Sequence, residues 1–185
     1  MGRLFLHINV SLDGYVNDAA GAIDWHFADE EFQRYIDDLL TDIGGMVFGR
    51  VAFEELAGYW PHAGAEASPT QVRRMHELPK HVLSRSLRSS DWHNSHVLGD
   101  DPAEAITRLK QQSGQDLALF AGGRAASAAA GLGVVDEYRL VVNPVLLGGG
   151  TRLFDGPYAR TELRLTRTRQ FESGALLLVY EPAAA

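Results

Sequence analysis

The segment Asp116–Gly133, DLALFAGGRAASAAAGLG, passes from a short apolar run through two adjacent glycines into small residues that favour a helix. A strand that turns at glycine into a helix is the junction from which α/β folds are built, and it points the helix N-terminus out of the carboxyl edge of the sheet. Free N–H groups at a helix N-terminus attract anions. Gly122 and Gly123 therefore form either a tight turn or a cradle for a phosphate group.

A second junction of the same type lies in VFGRVAFEE, where Gly49 and Arg50 separate a short apolar run from a helical pattern. Arg50 adds a fixed charge with a planar set of donors. A simple turn explains either junction taken alone, but two junctions in one chain favour a ligand site. Neither matches G-x-G-x-x-G, so the ordinary dinucleotide fingerprint is absent.

A third polar strand end follows the apolar residues of VLSRSL, where Ser84 and Arg85 stand next to each other. An acidic residue in this place binds the ribose hydroxyls of NAD, whereas serine and arginine suit the 2′-phosphate of NADP. The pair therefore favours NADP. A polar strand end facing solvent is an equally good interpretation of these two residues.

The rest of the chain alternates strand and helix patterns and ends in β-rich segments. Leu4, Leu6, Ile8 and Val10 predict a strand, and apolar residues from Asp29 onward recur at helical spacing. Asp101 and Pro102 mark the start of a later helix. This order predicts an α/β sheet with helices on both faces, mostly parallel, with antiparallel strands at the C-terminal end. We expect one domain over residues 1–185, with a mobile loop at Pro61–Thr70.

Composition excludes several classes of protein. The net charge of −7 offers no basic surface for nucleic acid, and no apolar run approaches the length of about 20 residues that spans a bilayer. With no cysteine there is no thiol nucleophile and no thiolate metal site. His76 and His81 are predicted at the surface, and no metal is expected because the histidine pairs lack a third ligand. We expect a cytoplasmic protein.

Three segments together resemble the dihydrofolate reductase superfamily. They are IDWHFADEEFQRYIDDLLTDIGGMVFGRVAFEEL, HVLSR and LFAGGRAA, in that order along the chain. The later segment DEYRLVVNPVLLGGGTRLF is similar to the reductase domain of bacterial riboflavin biosynthesis and to its stand-alone relatives. The resemblance implies a three-layer α/β/α fold, a homodimer, and NADPH-dependent hydride transfer to a small pteridine-like, pyrimidine-like or carbonyl substrate. The alternative is a nucleotide-binding or sensor protein of the same fold without turnover.

The resemblance also implies roles for individual residues. It places Glu30, five residues after Trp25, as the proton donor, with Asp13 as a second candidate acid and with Asp29 or a water molecule as other sources of the proton. Substrate binding is expected at Tyr15 and Trp25. Cofactor binding is expected at Val10, Gly14, Gly49, Arg50, Ser84, Arg85, Gly122, Gly123 and Arg124. The chain departs from the family pattern at Ala52, which lacks a phosphate-binding hydroxyl, and at Tyr15, which replaces a basic residue.

Overall fold

The computed structural model describes residues 1–99 and 101–183, which contain eight strands and five α-helices. The strands are β1 (Leu4–Ser11), β2 (Gly45–Gly49), β3 (Lys80–Leu83), β4 (Ser95–Leu98), β5 (Leu117–Phe120), β6 (Glu137–Asn143), β7 (Leu163–Gln170) and β8 (Leu176–Pro182). The helices are α1 (Glu30–Asp42), α2 (Arg50–Tyr59), α3 (Pro69–Glu77), α4 (Pro102–Gln112) and α5 (Gly123–Gly131). A short 3₁₀ helix, Trp60–His62, follows α2.

The strands form one sheet in the order β4-β3-β2-β5-β1-β6-β8-β7. Pairing is parallel from β4 to β6. Strand β8 pairs antiparallel with β6, and β7 pairs antiparallel with β8. The predicted sheet, mostly parallel with antiparallel strands at its C-terminal end, is confirmed.

Helices pack on both faces of the sheet, and buried apolar side chains form a separate core on each face. Phe32 of α1, Phe53 of α2 and Met75 of α3 pack on one face. Ile106 of α4 and Ala126 of α5 pack on the other. Helices therefore cover both faces, as the resemblance implied, and β1 lies near the middle of the sheet.

The five helices begin in two different ways. Asp29, Ser68 and Asp101 cap α1, α3 and α4 by accepting backbone N–H groups of the first turn. Helices α2 and α5 instead follow Gly49 and Gly122, and no side chain caps either of them. Their first N–H groups lack the side-chain acceptor that the other three helices have.

Three elements were not predicted, and the mobile loop expected at Pro61–Thr70 is wrong at both of its ends. A 3₁₀ helix includes Pro61, and α3 begins at Pro69 because proline suits a first helical position and Ser68 caps the turn. Strand β7 was not predicted, because nearly every residue in it is exposed and its sequence therefore lacks the apolar pattern of a buried strand. No helix of the described residues is long and apolar enough to cross a membrane.

The expected position of His81 also needs correction. His81 is half-buried rather than on the surface, and its ring stacks on that of His96 with 5.6 Å between centroids. Burial, with a smaller effect of His96, lowers the pKa of His81 to about 4. His76 is exposed, as predicted.

Candidate active site

The glycine junctions and the Ser84–Arg85 strand end meet at the carboxyl edge of the sheet. Strand β2 lies between β3 and β5, with Gly49 opposite Leu83 and Phe48 opposite Phe120. The residues that follow these three strands are therefore neighbours. This edge is where ligands bind in open α/β sheets.

The first cavity at this edge has a volume of about 310 Å³ and lies between the N-termini of α2 and α5. Five of the predicted cofactor-binding residues line it: Gly49, Arg50, Gly122, Gly123 and Arg124. Asn17 and Thr151 complete its wall from outside the two junctions. Neither was a predicted site residue. Asn17 lies outside the quoted motifs, whereas Thr151 follows the three glycines of DEYRLVVNPVLLGGGTRLF.

The three glycines that line this cavity have different structural roles. A Cβ at Gly49 would lie 2.8 Å from the Cβ of Ala125, and a Cβ at Gly123 would overlap the carbonyl oxygen of Arg152. These two glycines allow α5 to pack closely against its neighbours. A Cβ at Gly122 would meet no atom within 4 Å, so Gly122 leaves backbone open to the cavity.

The electrostatics of the first cavity favour an anion. Two helix N-termini without capping side chains line it, and each carries a partial positive charge. Arg50 lies at its edge and is held by Glu54, with 2.6 Å between Nη1 and a carboxylate oxygen. Arg124 is exposed at the start of α5. The arrangement suits a phosphate or pyrophosphate group.

The second cavity, of about 240 Å³, lies beyond the end of β3. Ser84 and Arg85 line it, as expected for residues that act together, and Arg88 lines it as well. The Ser84 hydroxyl accepts the N–H groups of Ser86 and Leu87, which ends the strand and turns the chain so that Arg88 reaches the same space. Sequence reasoning missed Arg88, although its spacing of three residues from Arg85 was a usable signal.

The third cavity, also of about 240 Å³, shares Ala52 and Gly122 with the first. The two cavities therefore adjoin, and together they are called the cleft below. The lining of the third is mostly apolar, with the polar residues His7, Asn9, His26 and Glu55. None of these four was a predicted site residue. Phe120 also lines this cavity.

Asp13 binds the loop beside the cleft. Its carboxylate accepts hydrogen bonds from the Ser11 hydroxyl at 2.6 Å and from the N–H groups of Leu147 and Gly148 at 3.1 and 2.7 Å. These bonds, the one from Ser11 first, lower the pKa of Asp13 to about 2. Gly14 completes the turn with a φ of +89°, a conformation that favours glycine. The contacts of Asp13 therefore favour its ionised form.

Val10 and the two predicted substrate-binding residues lie around the cleft without lining any of the three cavities. Val10 is buried in β1 within the core. The Trp25 indole packs edge-on against the ring of His26, with 4.3 Å between centroids, and thereby contacts a residue of the third cavity. Tyr15 forms an isolated β-bridge with Arg152, whose guanidinium lies 5.2 Å from the tyrosine ring.

Glu30 lies away from the cleft. Its side chain is 94% exposed and faces Arg34 at 3.5 Å, one turn along the same helix. The neighbouring Asp29 caps α1 and also accepts the N–H of Ser173 at 2.6 Å. Neither carboxylate lines the three cavities, so the structure does not bring the predicted proton donor together with the predicted cofactor residues.

The described part of the chain contains no set of side chains that could bind a metal ion. No group of three or more His, Asp or Glu residues among residues 1–99 and 101–183 converges in a geometry that could hold a metal ion. The polar chemistry of the cleft therefore rests on backbone N–H groups, arginines and the residues of the third cavity.

Comparison with known proteins places the chain in a family. The model of the RibD C-terminal domain family matches residues 3–177, and the chain belongs to this family. The uncharacterized protein YyaP of Bacillus subtilis (strain 168) is 31% identical over 179 residues, which cover 96% of this chain and 94% of YyaP. YwjB of the same organism, also uncharacterized, is 31% identical over 173 residues.

Solved structures agree on the fold. A protein of Shewanella sp. PV-4 with a suggested place in riboflavin biosynthesis matches with a TM-score of 0.78 at 20% identity over the full length of both chains. Dihydrofolate reductase from Enterococcus faecalis, solved in complex with NADP(H) and RAB-propyl, matches with a TM-score of 0.67 at 12% identity over 99% of this chain and 98% of the reductase. The chain therefore has the fold that is seen in dihydrofolate reductase.

Proposed function

We propose that this protein is an NADPH-dependent reductase that transfers a hydride to a small heterocyclic or carbonyl substrate, and that residues 1–185 form one reductase domain. The observation that carries the proposal is the cleft formed by the adjoining first and third cavities. One end of this cleft suits a pyrophosphate, and the other is apolar with a few polar groups, as expected for a site that binds a flat ring.

The residues of the cleft fit the cofactor. The N–H groups at the starts of α2 and α5 would bind the pyrophosphate, with Gly122 allowing close approach. Arg85 and Arg88 in the second cavity would bind the 2′-phosphate. When bound, NADPH supplies the hydride, and the protein's task is to orient it toward the substrate and exclude competing reactions. The solved dihydrofolate reductase with NADP(H) supports this choice of cofactor.

The proton for the reaction has four candidate sources, which are Glu30, Asp13, Asp29 and a water molecule. Asp29 caps α1 and binds the N–H of Ser173. The position of Glu30 outside the cleft and the ionised state favoured for Asp13 leave a water molecule in the third cavity as the source that we propose. His7 and Asn9 offer polar groups that would hold such a water. Replacing Glu30 by glutamine would then leave turnover unchanged.

The preference for NADPH over NADH tests whether the second cavity binds the 2′-phosphate. We expect the double variant Arg85→Ala/Arg88→Ala to bind NADPH at least tenfold more weakly, a loss of about 1.4 kcal/mol or more, because two cations are removed from the 2′-phosphate. NADH lacks this phosphate and should bind with unchanged affinity. Fluorescence titration with both dinucleotides measures the ratio of their dissociation constants. An equal loss for NADPH and NADH would contradict the assignment of this cavity.

The same observations leave one rival function. A nucleotide-binding or sensor protein without turnover is favoured by the positions of the two predicted acids, since Glu30 lines none of the three cavities and Asp13 binds the loop. Oxidation of NADPH, followed by its absorbance with pteridine, pyrimidine and carbonyl substrates, separates the two functions. If NADPH binds but none of these substrates oxidises it, the sensor function would be favoured.

We propose further that the protein is a cytoplasmic homodimer that pairs through the C-terminal strands. Strand β7 lies at the edge of the sheet with nearly every residue exposed, including Leu163 and Leu165 at 40% and 48% exposure. A long exposed edge with apolar side chains is one that proteins normally cover. Light scattering coupled to size exclusion gives the oligomeric state.

A further inference from the structure

The two arginines of the second cavity have no acidic partner in the described part of the chain. Arg85 and Arg88 both line this cavity, and neither forms an ion pair or a hydrogen bond with another described residue. Arg50 at the first cavity, by contrast, is held by Glu54. The second cavity therefore offers two guanidinium groups side by side, an arrangement that suits a phosphate.

A serine hydroxyl lies beside this pair of arginines. Ser86 stands one residue after Arg85 and two residues before Arg88. Its Oγ lies 3.4 Å from the Oγ of Ser84, which lines the cavity. The N–H of Ser86 also donates to the Oγ of Ser84 at 3.2 Å. The turn that ends β3 therefore holds the Ser86 hydroxyl next to the cavity.

Ser86 is accessible to a modifying enzyme. The residue is exposed, and residues 84–91 form neither helix nor strand. A kinase must take the hydroxyl of its target into its own active site. An exposed segment without regular structure can be bound in this way while the rest of the domain stays folded.

A phosphate ester on Ser86 would fill the cavity from within the chain. Such an ester carries about −1.5 to −2 charge near pH 7 and three strong acceptor oxygens. Arginine binds these oxygens with parallel, charge-assisted hydrogen bonds. The 2′-phosphate of NADPH, which we expect in the same cavity, has the same chemistry, so the two phosphates would compete for Arg85 and Arg88. NADH has no 2′-phosphate and would escape this competition.

We propose that Ser86 is a phosphorylation site, and that its phosphate takes the place of the NADPH 2′-phosphate at Arg85 and Arg88. In the modification, the Ser86 Oγ forms a bond to the γ-phosphorus of ATP, and the bond from that phosphorus to the bridging oxygen breaks. ADP leaves with the electron pair, and the hydroxyl proton passes to the base of the kinase. The proposal rests on the proposed function, since it regulates the same cofactor site.

Phosphoserine incorporated during translation tests the competition. Ser86→phosphoserine should bind NADPH at least tenfold more weakly than the unmodified protein in a fluorescence titration, while the affinity for NADH changes less than twofold. A general repulsion by the added charge would weaken NADH as well. Thr161→phosphoserine adds the same group at an exposed position ahead of β7, at the other end of the sheet, and should change neither affinity. In the Arg85→Ala/Arg88→Ala variant, the phosphate on Ser86 should have no further effect on NADPH.

Two kinds of result would overturn the proposal. One is an unchanged affinity of Ser86→phosphoserine for NADPH, or an equal loss for NADPH and NADH. The other concerns the protein isolated from its own cells, in which phosphopeptide mass spectrometry should find the phosphate on Ser86; its absence from both growing and stationary cells would exclude the modification. Failure of NADPH to bind the unmodified protein would instead overturn the proposed function.

Discussion

Gly122→Ala should weaken NADPH binding at least tenfold while leaving the protein as stable as before. The added methyl group meets no protein atom within 4 Å, and the backbone φ of −72° accepts alanine without strain. It enters the space in which we expect the pyrophosphate to approach the start of α5, so the cost of about 1.4 kcal/mol or more falls on binding alone. Fluorescence titration and thermal unfolding measure the two effects separately.

Two other glycines serve as controls for this prediction. Gly114 is equally free of neighbours but precedes β5 at the opposite edge of the sheet, so Gly114→Ala should leave NADPH affinity unchanged. Gly123→Ala would drive a methyl group into the carbonyl of Arg152 and should cost about 1–3 kcal/mol of stability. Gly122→Ala that bound NADPH as tightly as the unmodified protein would remove Gly122 from the cofactor site.

Acid should destabilise the protein between pH 6.5 and pH 3, and His7→Phe should remove a large part of this effect. The unfolded chain binds a proton on His7 below its usual pKa near 6.5, whereas the folded protein, with a pKa of about 3, does not. The stability present above pH 6.5 is therefore lost as the pH falls toward 3. At pH 5 the loss from His7 alone is about 2 kcal/mol.

Urea unfolding at pH 7, 6 and 5 measures this dependence. The free energy of unfolding of His7→Phe should fall by about 2 kcal/mol less than that of the unmodified protein between pH 7 and pH 5. His26→Phe should restore less of the stability that is lost between pH 7 and pH 5. His26 is only half-buried, and its pKa of about 4 is lowered less than that of His7. Parallel curves for the unmodified protein and His7→Phe would mean that the imidazole of His7 is protonated in the folded state.

The sequence predicted the sheet and the cofactor end of the cleft because both leave local signals. Apolar runs that end in glycine mark parallel strands, and Gly49 and Gly122 mark the helix starts that the structure brings to one cavity. The start of α4 at Asp101 was visible for the same reason, since a cap lies within a few residues of what it binds. Signals of this kind extend over a few residues only.

The substrate end of the cleft escaped prediction because it depends on contacts between distant residues. His7 and Asn9 belong to an apolar strand pattern, and only the packing of β1 between β5 and β6 brings them beside His26. Glu30 was chosen from its distance along the chain to Trp25, yet its first-turn position on α1 exposes it. Spacing along a helix fixes a side chain's face but not which cavity it reaches.

A crystal structure of the protein with NADP⁺ tests the proposed cofactor site directly. We expect the pyrophosphate against the N–H groups that begin α5, the 2′-phosphate between Arg85 and Arg88, and the nicotinamide where the first and third cavities meet near Ala52. A dinucleotide bound elsewhere on the sheet, or a cleft that stays free of NADP⁺ in crystals grown at millimolar concentrations of it, would rule out this cofactor site.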